Sequence, residues 1–186
     1  RMFLQKALEN NRPLVDFAFS AHRRGELLPN TYLLDMDALT ANARMMLDAA
    51  GKNGVSLYFM LKQLGSNPEV ARRLTDLGFS GAVAVEAREA LCYKQHGIPL
   101  GNIGHLVQIP DGALPTLLDA RPQIITIYSV DKARTISALA AERGMVQDVM
   151  LRVVGKEDML YSGQLAGFPL EDLAAAAEEL AKLPNI

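Results

Sequence analysis

A single cysteine, no tryptophan and three histidines stand in 186 residues, and each scarcity removes a class of chemistry. One thiol, Cys92, excludes an internal disulfide and fits a reducing compartment. It sits in the helical pattern "EAREALCYKQHG", where packing as a small hydrophobe is the ordinary role of a free cysteine. His22, His96 and His105 are far apart and lack the close spacing of a zinc helix motif, so no metal site is expected. No run approaches the roughly 18 apolar residues of a membrane span, and no signal peptide is recognisable at the N-terminus. A cytoplasmic location is the expectation. Charge is nearly balanced, with 19 Lys and Arg against 21 Asp and Glu. Such a chain has no field to recruit nucleic acid or an acidic membrane, and no basic stripe is interleaved with aromatics. GxSxG elbows and phosphate-binding P-loops are missing as well. What remains is a small-molecule partner.

A repeated unit runs from Leu57 onward: a short aliphatic strand, a polar turn, an amphipathic helix, then glycine. "VSLYFML" leads to "NPEVARRLTDLG", where Asn67 caps the helix, Pro68 suits its first turn and Gly78 ends it. "GAVAV" precedes "EAREALCYKQHG", and "IGHLVQI" precedes a helix from about Gly112 to Asp119. "QIITIYS" and "VDKARTISALAAERG" form the next unit; "VQDVMLRVV" and "PLEDLAAAAEELAKL" form the fifth. Strands alternating with helices mean parallel pairing and the α/β class. The strands end near Lys62, Val85, Gln108, Tyr128 and Val154, a spacing of roughly 20 to 26 residues. This suits a β/α barrel; the doubly wound alternative lacks its sign, since "KQLGSNP" is not GxGxxG. Eight units need about 250 residues. The chain is therefore expected to be an incomplete (β/α)8 TIM-type barrel, stopping before the sixth strand. Residues 1–30 are expected as an N-terminal helical extension made of "FLQKALENN" and "PLVDFAFSAHRRG", with the barrel domain over 31–186. "TYLLDMDAL" reads as a strand, followed by a helix capped by Thr40 or Asp37. Asp35 and Asp37 read as an exposed face and a helix cap rather than an acid/base pair, because no other acid or histidine accompanies them.

In such a barrel the reactive residues stand at the carboxyl ends of the strands. Lys62, which closes "LYFML", is at such an end. A lysine partly desolvated there becomes an amine nucleophile for a carbonyl, and Schiff-base chemistry is its natural use. The alternative is a packed stem whose head reaches solvent. His105 and Gln108, read in one strand, point to opposite faces by the period of two, so at most one lines the axis. Tyr128 and Ser129 end the fourth strand with hydroxyls within reach of a ligand. Tyr161, in the loop after the fifth strand, is a candidate substrate contact. Arg152 either supplies charge to the site or pairs with Glu157 or Asp158.

The order "TYLLDMDAL", "TANARMM", a strand ending in lysine, "NPEVARRLTDLG" and "GAVAVEAREAL" resembles the N-terminal region of the fold-type III pyridoxal-phosphate enzymes, the alanine racemase family and its amino-acid decarboxylase cousins. The likeness runs from about Thr31 onward, and "GHLVQIP" and "DMLYSGQLAGF" look most like an uncharacterised branch of amino-acid racemases. The resemblance implies pyridoxal 5'-phosphate as cofactor, held by Lys62 through a Schiff base. It places Gln164 where the family has an arginine on the cofactor's phenolic oxygen, and Arg152 near a family lysine. Cofactor-binding candidates are thus Lys62, Gln164, Arg152 and His105; substrate-binding candidates are Tyr161 and Tyr128. After the lysine this chain has Gln63-Leu64-Gly65-Ser66-Asn67 in place of the alanine racemase Ala-Asn-Ala-Tyr-Gly-His pattern, so its substrate does not follow from alanine racemase. The expected activity is racemisation of a free amino acid by an intact homodimer. The rivals are a decarboxylase or lyase, or a cofactor-homeostasis protein without catalysis. The family's ring-stacking histidine, phosphate-binding loops and partner tyrosine would fall beyond Ile186, so this piece alone is expected to be poorly active.

Overall fold

The computed structural model describes residues 2–158 and 166–186. It divides into two compact units, residues 1–46 and residues 47–186.

In the first unit, α1 (Met2–Arg23) is interrupted at Asn11, whose backbone leaves the helical region (φ −152°, ψ 70°). This divides the two helices expected from the sequence. Asn11 Oδ1 accepts the amide of Leu14 at 3.1 Å and so restarts the helix beyond Pro13. The strand expected over "TYLLDMDAL" does not form: Tyr32–Asp35 is irregular, and α2 spans Met36–Lys52. The cause is Asp35, whose Oδ1 accepts the amides of Asp37 (3.1 Å) and Ala38 (2.9 Å). It is the cap the sequence reading assigned to Thr40 or Asp37. Thr40 is instead inside the helix, donating its hydroxyl to the carbonyl of Met36.

The second unit is built on a parallel sheet of order β1 (Ala82–Ala84), β2 (Leu100–Ile103), β3 (Ile124–Ile127), β4 (Val149–Leu151). The "VSLYFML" segment lies along β1 and pairs through Phe59, whose amide donates to Gly81 (3.1 Å) and whose carbonyl accepts from Val83 (2.7 Å). Beyond Arg152 a two-residue strand, β5 (Val153–Val154), pairs in parallel with β6 (Phe168–Pro169). Helices α3 (Pro68–Leu77), α4 (Ala87–Gln95), α5 (Leu114–Leu118), α6 (Val130–Glu142) and α7 (Leu173–Leu180) alternate with these strands. Asn67 caps α3 through the amides of Glu69 and Val70, and Gly78 closes it in the left-handed region (φ 115°).

The core lies between the helices and one face of the sheet. Phe59, Leu61, Ala82, Ala84, Ile103, Ile125 and Ile127 are buried there against Tyr93, Leu117 and Ile136. Phe59 meets the rings of Phe79 and Tyr93 edge-on at 6.2 and 6.4 Å. The alternate residues of the same strands occupy the opposite face, where Tyr58, Met60 and Met150 remain exposed. Strands covered by helices on one side and presenting a second side-chain layer on the other are the wall of a β/α barrel.

The third strand ends earlier than the sequence suggested. Gly104, at φ 78°, turns the chain out of β2, so His105 and Gln108 stand in the following loop and the period of two does not govern them. A side chain at 104 would also meet Ile109 Cγ1 at 3.1 Å and the Thr126 carbonyl at 3.3 Å.

Candidate active site at the strand ends

The strand expected to end at Lys62 is reduced to one bridge at Phe59; Leu61 is buried beyond it, and Lys62 opens a single 3₁₀ turn, Lys62–Leu64. The amides of Leu64 and Ser66 both donate to the Leu61 carbonyl, and Gly65 and Ser66 take positive φ to close the turn. Lys62 is thereby carried out of the covered layer and stands exposed. The burial cost that a lysine inside a strand would incur does not arise.

His105 is held on the loop that follows β2. The amide of Gly104 donates to Ala84 (3.0 Å), and those of Leu106 and Val107 donate to Val85 (3.2 and 3.0 Å). From β3, the Tyr128 hydroxyl donates to the carbonyls of Gly104 (3.1 Å) and His105 (3.2 Å). Arg152, between β4 and β5, donates its amide to Ile127 and lays its guanidinium over the Tyr128 ring, 5.4 Å from the centroid. The imidazole of His105 is held below the ordinary histidine range by partial desolvation, then by the positive charges of Arg152 and Lys62. Burial raises the Tyr128 phenol, and Arg152 opposes part of that rise. Four of the sequence-selected residues, Lys62, His105, Tyr128 and Arg152, therefore gather at the carboxyl ends of the strands.

Other selected residues fall elsewhere. Ser129 caps α6 by accepting the amide of Lys132, and Asp158 accepts the amide of Gly155. Gln108 is half-buried on the loop beyond His105. Gln164 and Tyr161 lie outside the described residues.

Below the cluster a cleft of about 270 Å³ opens on the inner face of the sheet. Its walls are mainly apolar, including Met60, Val83, Ile124 and Met150, with His105 and Asn102 among the lining residues. Asn102 and Thr126, both buried, exchange hydrogen bonds of 3.0 and 3.1 Å between their side chains. Tyr58 lies across Gly101 and donates its hydroxyl to Gln123 at 2.6 Å. Sequence reasoning missed these residues because pairing between strands about 24 positions apart leaves no local signal. It also missed Lys132, although a lysine in the first turn of a helix, against the dipole, is itself a signal.

An amine, an imidazole and a guanidinium at the carboxyl end of a parallel β/α sheet form a donor set suited to an anionic ligand bearing a carbonyl group. The class this points to is a β/α barrel with a candidate site at its strand ends. The chain belongs to the family described as alanine racemase, N-terminal domain, whose model matches residues 34–186. That domain is a pyridoxal-phosphate-binding TIM-like barrel of the fold-type III enzymes, and the units seen here are part of it. The chain is 36% identical over 185 residues to "Uncharacterized protein YhfX" of Escherichia coli (strain K12), covering 100% of this chain and 48% of that protein. It thus spans about half the length of the curated relative it matches. Among solved structures it resembles D-threonine aldolase from Filomicrobium marinum (TM-score 0.63, 21% identity, 82% of this chain and 40% of the other). It also resembles alanine racemase of Clostridium difficile 630 (TM-score 0.59, 22% identity, 79% and 37%). A diaminopimelate decarboxylase from M. jannaschii is similar in the same way (TM-score 0.60, 16% identity, 80% and 37%). At these identities the structural likeness shows the fold. No described helix is long and apolar enough to cross a membrane.

Proposed function

We propose that the protein containing this chain is a cytoplasmic, homodimeric, pyridoxal-phosphate-dependent racemase of a free amino acid, with Lys62 as the residue that holds the cofactor. The observation that supports this reading is the gathering of Lys62, His105, Tyr128 and Arg152 at the carboxyl ends of the strands. The donor set fits the cofactor: an exposed amine for its aldehyde, and cationic side chains for its anionic oxygens. When bound, pyridoxal phosphate serves as an electron sink for the bonds at the substrate's Cα. Lys62 Nζ would carry the Cα proton on one face. Arg152, braced on the Tyr128 ring, would orient an anionic oxygen; Gln164 and Tyr161 are further candidates for cofactor and substrate contacts. His105, its imidazole held below the ordinary histidine range by partial desolvation and then by its cationic neighbours, would serve as a proton acceptor.

The test uses the full-length protein and its Lys62→Ala variant, incubated with pyridoxal phosphate, reduced with borohydride and mapped by peptide mass spectrometry. The label is expected on the Lys62 peptide and absent from the variant; a label elsewhere, or none, would refute the assignment. Racemisation is then read as Cα deuterium incorporation with inversion across a panel of amino acids. Release of carbon dioxide or an aldehyde instead would mark a decarboxylase or lyase, and cofactor binding without either would mark a homeostasis protein.

A further inference from the structure

We propose that Lys132 is a positioning residue for this site: from the first turn of α6 it fixes the far end of the 104–111 loop and so holds His105 beside Lys62 and Arg152. This rests on the reading of that cluster as the reactive site.

Lys132 stands where physical chemistry disfavours a lysine twice. Its side chain is only 9% exposed, and a buried ammonium is costly unless it is paired and hydrogen-bonded. It also lies three residues into α6, beyond the Ser129 cap, where the helix dipole repels a cation. Both penalties are met by one set of contacts. Nζ donates to the buried Ile109 carbonyl at 2.9 Å and to the Asp111 carboxylate. The other charges of that turn face elsewhere: Asp131 is exposed and pairs with Arg134, which also reaches Glu179.

These contacts complete the fixing of a loop whose near end is already tied. Gly104 donates to Ala84, the last residue of β1, Leu106 and Val107 donate to Val85 just beyond it, and Tyr128 donates to the Gly104 and His105 carbonyls. Between these two anchors the loop has little freedom, so the imidazole keeps one position relative to Lys62 and Arg152. His105 is already exposed, so the loop, freed at its far end, would let the imidazole move away from both cations.

The experiment measures carbethoxylation of His105 by diethyl pyrocarbonate as a function of pH, read by peptide mass spectrometry on the full-length protein without cofactor. His22 and His96 serve as internal references. Lys132→Met, Lys132→Arg and Asp111→Ala are compared with the wild type, each checked for a cooperative thermal transition. In Lys132→Met the His105 midpoint is expected to rise toward the ordinary histidine value, about 6.5. Asp111→Ala is expected to move it the same way, and Lys132→Arg to preserve the wild-type midpoint. A pure field effect gives opposite signs, because one variant removes a positive charge and the other a negative one. Opposite shifts, or an unchanged midpoint in Lys132→Met, would overturn the inference. If Lys132→Met fails to fold, the Asp111→Ala and Lys132→Arg pair decides. Failure of the wild type to take up pyridoxal phosphate would refute the proposed function, and this cofactor-free measurement would still stand.

Discussion

Gly101→Ala isolates one tertiary contact on the floor of the cleft. Gly101 lies in β2 without a positive φ, so its backbone suits any residue and only space demands glycine. A Cβ there would stand 2.2 Å from Tyr58 Cδ1 and 2.5 Å from Cε1, with the Ala82 carbonyl at 3.4 Å. Carbon atoms pack at about 3.5 to 4.0 Å, so the ring must retreat by roughly 1.5 Å. That movement carries the phenol off Gln123, to which it donates at 2.6 Å. Loss of one hydrogen bond costs about 0.5–1.5 kcal/mol, and overpacking typically costs about 1–3 kcal/mol. Because Tyr58 is 39% exposed and free to swing, the lower part of that combined range applies, about 2 kcal/mol. The assay is urea unfolding of wild type, Gly101→Ala, Tyr58→Ala and the double variant. In the Tyr58→Ala background the substitution should become neutral or stabilise by up to about 1 kcal/mol, since alanine restricts the unfolded chain more than glycine does. An equal cost of Gly101→Ala in both backgrounds would refute the reasoning and place the obstacle in the sheet itself.

Tyr128→Phe removes, from a residue only 9% exposed, the donor to two carbonyls, those of Gly104 and His105. A loss of about 1–2 kcal/mol in urea unfolding is expected, and a wild-type midpoint would show that water replaces the phenol. Asp35 is held below the ordinary carboxylate range, first by the Ala38 amide and then by the Asn11 side chain. The folded state therefore binds this proton less readily than the unfolded chain. Its stabilisation is fully present above the unfolded pKa of about 3.9 and is lost as pH falls through the lower folded value. Thermal melts taken downward from about pH 5 should fall less steeply for Asp35→Asn than for the wild type; equal slopes would count against the cap.

Much of the molecule was legible in local patterns. Asn67, Pro68 and Gly78 bound α3 as their side chains and backbone require, and the alternation of strands and helices implied the parallel order β1 to β4. Lys62 was selected on two grounds, its place at the end of an apolar run and the family resemblance. Elsewhere local rules competed. "TYLLDMDAL" alternates like a strand, yet Asp35 captures two amides and starts α2 immediately. "IGHLVQI" looks continuous, yet Gly104 turns the chain by taking φ 78°, which glycine adopts without strain and where a side chain would press on Ile109 and the Thr126 carbonyl.

By itself the sequence determined the class of fold and the limits of α3, because caps, glycines and hydrophobic period act over a few residues. Only the tertiary structure decided that His105 leaves its strand, that Arg152 lies over Tyr128, and that Lys132 reaches Ile109 and Asp111. The physical reason is range. These contacts join residues about 20 or more positions apart, and which of them meet is set by strand register and by the burial of one face of the sheet.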